Sequence, residues 1–189
     1  YIPELIFANY MTSAIMMIVK GKVSGTHGYG VKLSSSFSSK SIIEIVNKGK
    51  YYKQVFEKNL FKINAPSIKE VGSDSKEYVK ITLYPDYARF GYSDGMSDDM
   101  YKVFKQRVYE SSATTNKNLS VHLNKTKVPF KDFKVFVNYL LMMTISLYMK
   151  IQMKTGNMRC LNSGEFEQVS FVNKTFTIRG GTHVDYITG

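Results

Sequence analysis

The clearest chemical potential in the chain lies in Ser24-Gly25-Thr26-His27-Gly28-Tyr29-Gly30-Val31-Lys32-Leu33. Gly25, Gly28 and Gly30 fall within six positions, and Lys32 follows two residues after the last of them. Glycine tolerates positive φ and lets backbone N–H groups approach a bulky anion. A succession of such N–H groups running into a helix N-terminus makes a phosphate site. From Gly25 to Gly30 the spacing is that of a Walker loop. However, Val31 precedes the lysine, and Leu33 stands where a Mg²⁺-binding hydroxyl belongs. The dinucleotide fingerprint places its glycines in the opposite order, after a strand. Spacing alone leaves two readings open, a phosphate cradle and an ordinary glycine-rich turn.

Other reactive side chains are less organised. Ser170, His183 and Asp185 are the residue types of a hydrolase triad, but no nucleophile elbow accompanies them, so a structural histidine is the expectation. His27 and His122 have no metal-ligand spacing to a cysteine or a carboxylate pair. Cys160 is the single cysteine, which excludes an internal disulfide and suits a reducing compartment.

The elements that would position the loop follow from periodicity. Pro3 and Glu4 suit a first helical turn, with Leu5, Ile6, Tyr10 and Met11 on helical spacing. After the loop, Lys32 to Phe37 opens a helix. Residues 41–46 and 51–57 read as strands joined by a turn at Asn47-Lys48-Gly49-Lys50. A further strand is expected at 61–64, then a polar connector over 66–75. Tyr78 to Pro85 alternates as a half-buried strand does. Ser97 is a candidate N-cap, with Asp98 and Asp99 at the positive end of the helix dipole. Met100, Val103, Phe104 and Val108 share one face, which predicts a helix packed into a core rather than one laid on nucleic acid. Strands are expected at 119–124, 166–172 and 175–178, and a helix at 129–141. The apolar stretch from Val135 to Met153 reads as buried helix. Asn138, Thr144, Ser146 and Lys150 break it short of the ~20 residues a membrane span needs, so no membrane association is expected.

Gly28-Tyr29-Gly30-Val31-Lys32-Leu33 resembles the G-Y-G-A-K-L element in the ATP-binding domain of eukaryotic-type DNA topoisomerase II. Further blocks follow in the family's order. Tyr1 to Phe7 resembles the segment upstream, and Thr12-Ser13 stands at the family distance. Tyr78 to Pro85 resembles a family strand, and Val128 to Phe133 resembles the L-P-V-K-G-F turn. Ser170 to Asn173 and Gly180 to Tyr186 resemble S-F-V-N and G-G-R-H-V-D-Y. The likeness covers nearly the whole chain except about 142–165.

The resemblance implies an α+β fold of the GHKL (Bergerat) type, a mixed sheet packed on helices, over residues 1–127. It places the start of a βαβ transducer module at 128–189. It implies ATP as ligand, with Ser13, Gly25, Thr26, His27, Gly28, Tyr29, Gly30, Val31 and Lys32 as binding residues and no catalytic residue within the chain. The general base and the asparagine that holds Mg²⁺ would lie before Tyr1, so these residues alone are expected to lack ATPase activity. The blocks at both ends run on in the family, and a piece of a longer polypeptide is expected. The implied parent is a nuclear, homodimeric enzyme that couples ATP hydrolysis to passage of DNA. The loop departs from the pattern: it is one residue shorter, with Thr26 and His27 in place of glycine, arginine and asparagine, and Ala14 and Ile15 replace serine and asparagine in the ribose segment. A non-catalytic or decayed relative of the same fold is therefore the alternative.

Composition agrees with a nucleotide or nucleic-acid partner. Lys and Arg outnumber Asp and Glu by 26 to 15, for a net charge of +11, and such an excess steers polyanions toward a protein. Charge alone supports nothing more specific, because no basic run is dense enough to read as a nucleic-acid patch. Hydrophobic residues make up 43% of the 189 residues, enough for a core.

Overall fold

The computed structural model of the chain describes residues 1–10, 12, 28–142, 147–153, 156–162 and 166–188. They fall in two compact units, Tyr1–Met96 and Ser97–Gly189. Together they make the expected α+β fold.

The first unit is an antiparallel sheet with helices on one face. Helix α1 (Ile2–Ala8) carries Pro3 and Glu4 in its first turn, and helix α2 (Tyr29–Ser36) leads directly into strand β1 (Ser38–Asn47). Strands β2 (Lys50–Glu57), β3 (Lys62–Ile63), β4 (Ser67–Glu70) and β5 (Tyr78–Pro85) complete it. The order is β3-β2-β1-β5, with β4 also on β2. The β1–β2 turn is Lys48-Gly49, at φ 48° and 73°. Two central residues of positive φ match the right-handed twist of the flanking strands. Period-two alternation sends Ile43, Tyr52, Gln54 and Phe56 to the helix-covered face, where Phe7 and the partly buried Val31 pack with Ile43 and Phe56. Gln54 is buried with its amide satisfied: it donates to the Asn64 carbonyl at 3.0 Å and to the Glu4 carboxylate, and accepts from the Tyr52 hydroxyl. Burial pushes the Tyr52 hydroxyl up to about 12. This network fastens α1 to the sheet.

The second unit begins with helix α3 (Asp98–Thr114), whose N-cap Ser97 accepts from the Met100 amide at 3.3 Å. A short hairpin, β6 (His122–Leu123) and β7 (Thr126–Lys127), turns through Asn124 and Lys125 at φ 48° and 69°. Helix α4 (Phe133–Met142) follows. Then β8 (Leu147–Met153), β9 (Gly156–Asn162), β10 (Phe166–Val172) and β11 (Thr175–Phe176) form an antiparallel meander, closed by helix α5 (Thr182–Thr188). The core is aromatic: Phe130, Phe133, Phe136 and Phe171 are buried around Val137. Phe133 meets Phe171 edge-on at 5.6 Å between centroids, a favoured quadrupole geometry.

Several expectations need correcting. The stretch from Val135 to Met153 is not one helix: α4 stops at Met142 and Leu147–Met153 is a strand, because β9 offers it a full ladder from Leu147↔Asn162 to Met153↔Gly156. The connector over 66–75 contains β4, which pairs with β2 from Lys53↔Ser67 to Lys50↔Glu70. The strand expected at 119–124 shortens to two residues. Tyr78–Pro85 is a strand but exposed rather than half-buried, since it pairs only with β1 at the sheet edge. In α3, Val103 and Phe104 are 53% and 51% exposed, so the expected core face is open there. Only its later turns, with Val108, Tyr109 and Ala113, reach the aromatic core. No described helix is long and apolar enough to cross a membrane.

Asp132 caps α4 by accepting from the Val135 amide at 2.9 Å. That bond, reinforced by Lys117 against the opposing effect of burial, holds its carboxyl below the usual carboxylate range. A depressed folded value stabilises above the unfolded pKa and is lost as pH falls through the folded one. Asp132→Ala should cost about 1 kcal/mol at neutral pH, as lost N-caps do. Urea unfolding across pH should show this deficit shrinking below about pH 4, where carboxylates protonate.

Candidate phosphate site

Gly28 is the N-cap of α2 and sits in the left-handed region at φ 67°, ψ 27°. Its conformation delivers the chain into the helix at Tyr29, so the first amides of α2 have no intrahelical partner. Gly30 lies in the first turn, and a Cβ built there would meet nothing within 4 Å. The backbone beside it is therefore open to a bulky group. Val31 turns its side chain into the apolar cluster of Phe7, Ile43 and Phe56, leaving only its amide for a ligand. Tyr29, 40% exposed, lies with its ring 6.0 Å from that of Tyr10, whose hydroxyl bonds to Ser36.

Lys32 is the unusual residue. It is 2% exposed, and its ammonium donates to Thr12 Oγ1 at 2.7 Å and to the Gly28 carbonyl at 3.1 Å. Neither acceptor is charged. No Asp or Glu occurs anywhere between Glu4 and Glu44, so the whole surrounding segment carries no counter-charge of its own. A buried cation without a compensating anion is costly. An anion placed at the amides of α2 would meet both the helix dipole and this ammonium. Among the described residues, no group of three or more His, Cys, Asp or Glu could hold a metal.

Of the residues predicted for this site, Gly28, Tyr29, Gly30, Val31 and Lys32 come together on the first turn of α2. Ser13, Gly25, Thr26 and His27 lie outside the described residues. Periodicity gave no sign of the contact between Thr12 and Lys32, because the two are 20 positions apart and meet only once α1 and α2 share one face of the sheet.

The Ser170–His183 pair forms, and its surroundings explain it. Ser170 is fully buried, its Oγ 3.1 Å from His183 Nε2, and Thr177 Oγ1 lies 3.3 Å from the same nitrogen. Ser170 also donates to Gln168 Oε1 at 2.6 Å. Asp185 is exposed on α5, so no buried carboxylate from that position completes a triad. The histidine links α5 to β10 and the segment after β11, as a structural residue does.

With this geometry in hand, comparison with known proteins is decisive. The chain is 36% identical over 200 residues to DNA topoisomerase 2 of Arabidopsis thaliana, matching all of this chain and 13% of that protein. DNA topoisomerase 2 of Saccharomyces cerevisiae is 32% identical over 213 residues, again across the whole chain and 14% of the relative. In structure, the chain superposes on the ATPase region of the yeast enzyme with a TM-score of 0.84 and 31% identity, covering 100% of this chain and 50% of that one. The chain is homologous to the ATPase region of type II DNA topoisomerase. The ATPase and transducer domains of the Balamuthia mandrillaris enzyme give the same TM-score, 0.84, at 30% identity, over 99% of this chain and 48% of that one. No protein-family model matches the chain. The chain thus spans about half of the solved ATPase regions and only 13–14% of these full-length type II topoisomerases.

Within this topoisomerase-like loop, Gly28 adopts a left-handed conformation that disfavours a side chain. Placing a Cβ at φ 67° costs about 1–2 kcal/mol. Gly28→Ala should lower unfolding free energy by roughly that amount in denaturant titration, whereas Gly30→Ala, in open helical space, should be neutral or slightly stabilising.

Proposed function

We propose that this chain forms one wall of the ATP site of a type II DNA topoisomerase, with Lys32 and the first-turn amides of α2 holding the triphosphate. The observation that carries this reading is the buried Lys32 ammonium, bonded among the described residues to the neutral oxygens of Thr12 and Gly28, in a segment without carboxylates. Gly28, Tyr29, Gly30 and the Val31 amide line the same turn, and Ser13, Gly25, Thr26 and His27 are assigned to the site from the resemblance. In the parent enzyme, ATP supplies the binding and hydrolysis free energy that drives dimerisation of the N-terminal gate and passage of DNA. Mg²⁺ and the water-activating base would be held by residues outside this chain, as the resemblance implies. Residues 1–127 would be the later part of the GHKL domain and residues 128–189 the start of the transducer. The parent would act in the nucleus as a homodimer on DNA.

A decayed relative that keeps the fold and has lost the nucleotide is the competing reading, motivated by the shortened loop with Thr26 and His27 where the family carries an arginine. Calorimetric titration of the full-length polypeptide with a non-hydrolysable ATP analogue and Mg²⁺ separates the two. Lys32→Ala should weaken binding tenfold or more, about 1.4 kcal/mol. Equal affinity in both proteins would remove Lys32 from the site, and no binding by either, with the fold intact by circular dichroism, would establish the decayed reading.

A further inference from the structure

We infer that Thr12 is a positioning residue for the phosphate-binding ammonium of Lys32, and that the end of α1 is thereby part of the nucleotide machinery. The inference rests on the reading of Lys32 as a triphosphate ligand and adds to it the residue that aims the side chain. A lysine carries its charge on a flexible four-carbon stem, so something must select one position for the ammonium. Here the shorter of its two bonds, 2.7 Å, goes to the Thr12 hydroxyl oxygen.

That hydroxyl is itself oriented. Its single hydrogen is directed at the carbonyls of Leu5 and Asn9, both 3.0 Å away, which belong to the end of α1 and its C-cap. Carbonyls at a helix C-terminus lack intrahelical donors and carry partial negative charge. Donation to them fixes the rotor and turns an oxygen lone pair toward Lys32. Helix α1 cannot drift, because Glu4 accepts from the Gln54 amide, which is buried in the middle of β2. A continuous path runs from the sheet through Gln54, Glu4, α1 and Thr12 to the ammonium. Thr12 is neutral, so it steadies the ammonium without neutralising it and leaves the charge available to an anion.

The test uses the full-length polypeptide and the same non-hydrolysable ATP analogue with Mg²⁺. Thr12→Val keeps the volume and removes the hydroxyl with its bonds to Lys32, Leu5 and Asn9; it should weaken binding about tenfold, the scale of one hydrogen bond to a charged group. Thr12→Ser retains the hydroxyl and should stay within about twofold of wild type. In a Lys32→Ala background, Thr12→Val should add less than about twofold, because coupled residues are not additive. If Thr12→Val does not fold, Thr12→Ala serves in the same comparison. The inference is overturned if Thr12→Val binds like wild type while Lys32→Ala is weakened, or if the loss from Thr12→Val persists undiminished without Lys32. Should Lys32→Ala itself bind normally, the phosphate assignment fails first and the role of Thr12 falls with it.

Discussion

A lysine ammonium buried against two neutral oxygens is the constraint on which the rest of the first unit depends. Lys32 is held at 2.7 Å by Thr12 and at 3.1 Å by the Gly28 carbonyl, in a segment with no acid between Glu4 and Glu44. An interior of low dielectric makes an uncompensated charge far more expensive than it is in water. The surroundings limit that cost by supplying dipoles: the Thr12 hydroxyl, the Gly28 carbonyl and the helix around them. The sequence from Leu5 to Ile43 supplies no carboxylate to cancel the charge.

That arrangement needs a rigid platform, and the sheet provides it. Strands β1 and β2 pair in unbroken register from Lys40↔Glu57 to Asn47↔Lys50, and their helix-facing side chains form the surface on which α1 and α2 rest. Phe7 and Val31 enter the same apolar cluster from the two helices. The burial that stabilises the unit therefore also sets the distance between Thr12 and Lys32. The second unit is organised differently, around four buried phenylalanines and a four-stranded meander. In it Ser170 and His183 meet for a structural purpose, satisfying buried polar atoms that would otherwise lack partners.

The likeness to the type II topoisomerases spans both units at a TM-score of 0.84 against two solved ATPase regions. It also frames the departures. An arginine is a bidentate, always-charged phosphate donor. The sequence from Leu5 to Ile43 holds no arginine, so on the proposed reading the backbone amides and the buried Lys32 would have to hold the phosphates.

Much of this was legible in the residues themselves. Strand-like runs marked β1, β2 and β10, the Ser97 cap marked the start of α3, and the Asn-Lys-Gly-Lys turn marked the first hairpin, because each depends on neighbours within a few positions. The glycines and the lysine announced an anion-binding turn without saying whether it was one, since spacing carries no charge environment. Tertiary structure decided the remainder. It made Leu147–Met153 a strand by giving it β9 as a partner, and it exposed Val103 and Phe104 by bringing only the later turns of α3 to the core. It also carried Thr12 to Lys32 across 20 positions. Local propensity encodes elements, but burial and pairing are properties of what each element meets, and those meetings exist only in the folded chain.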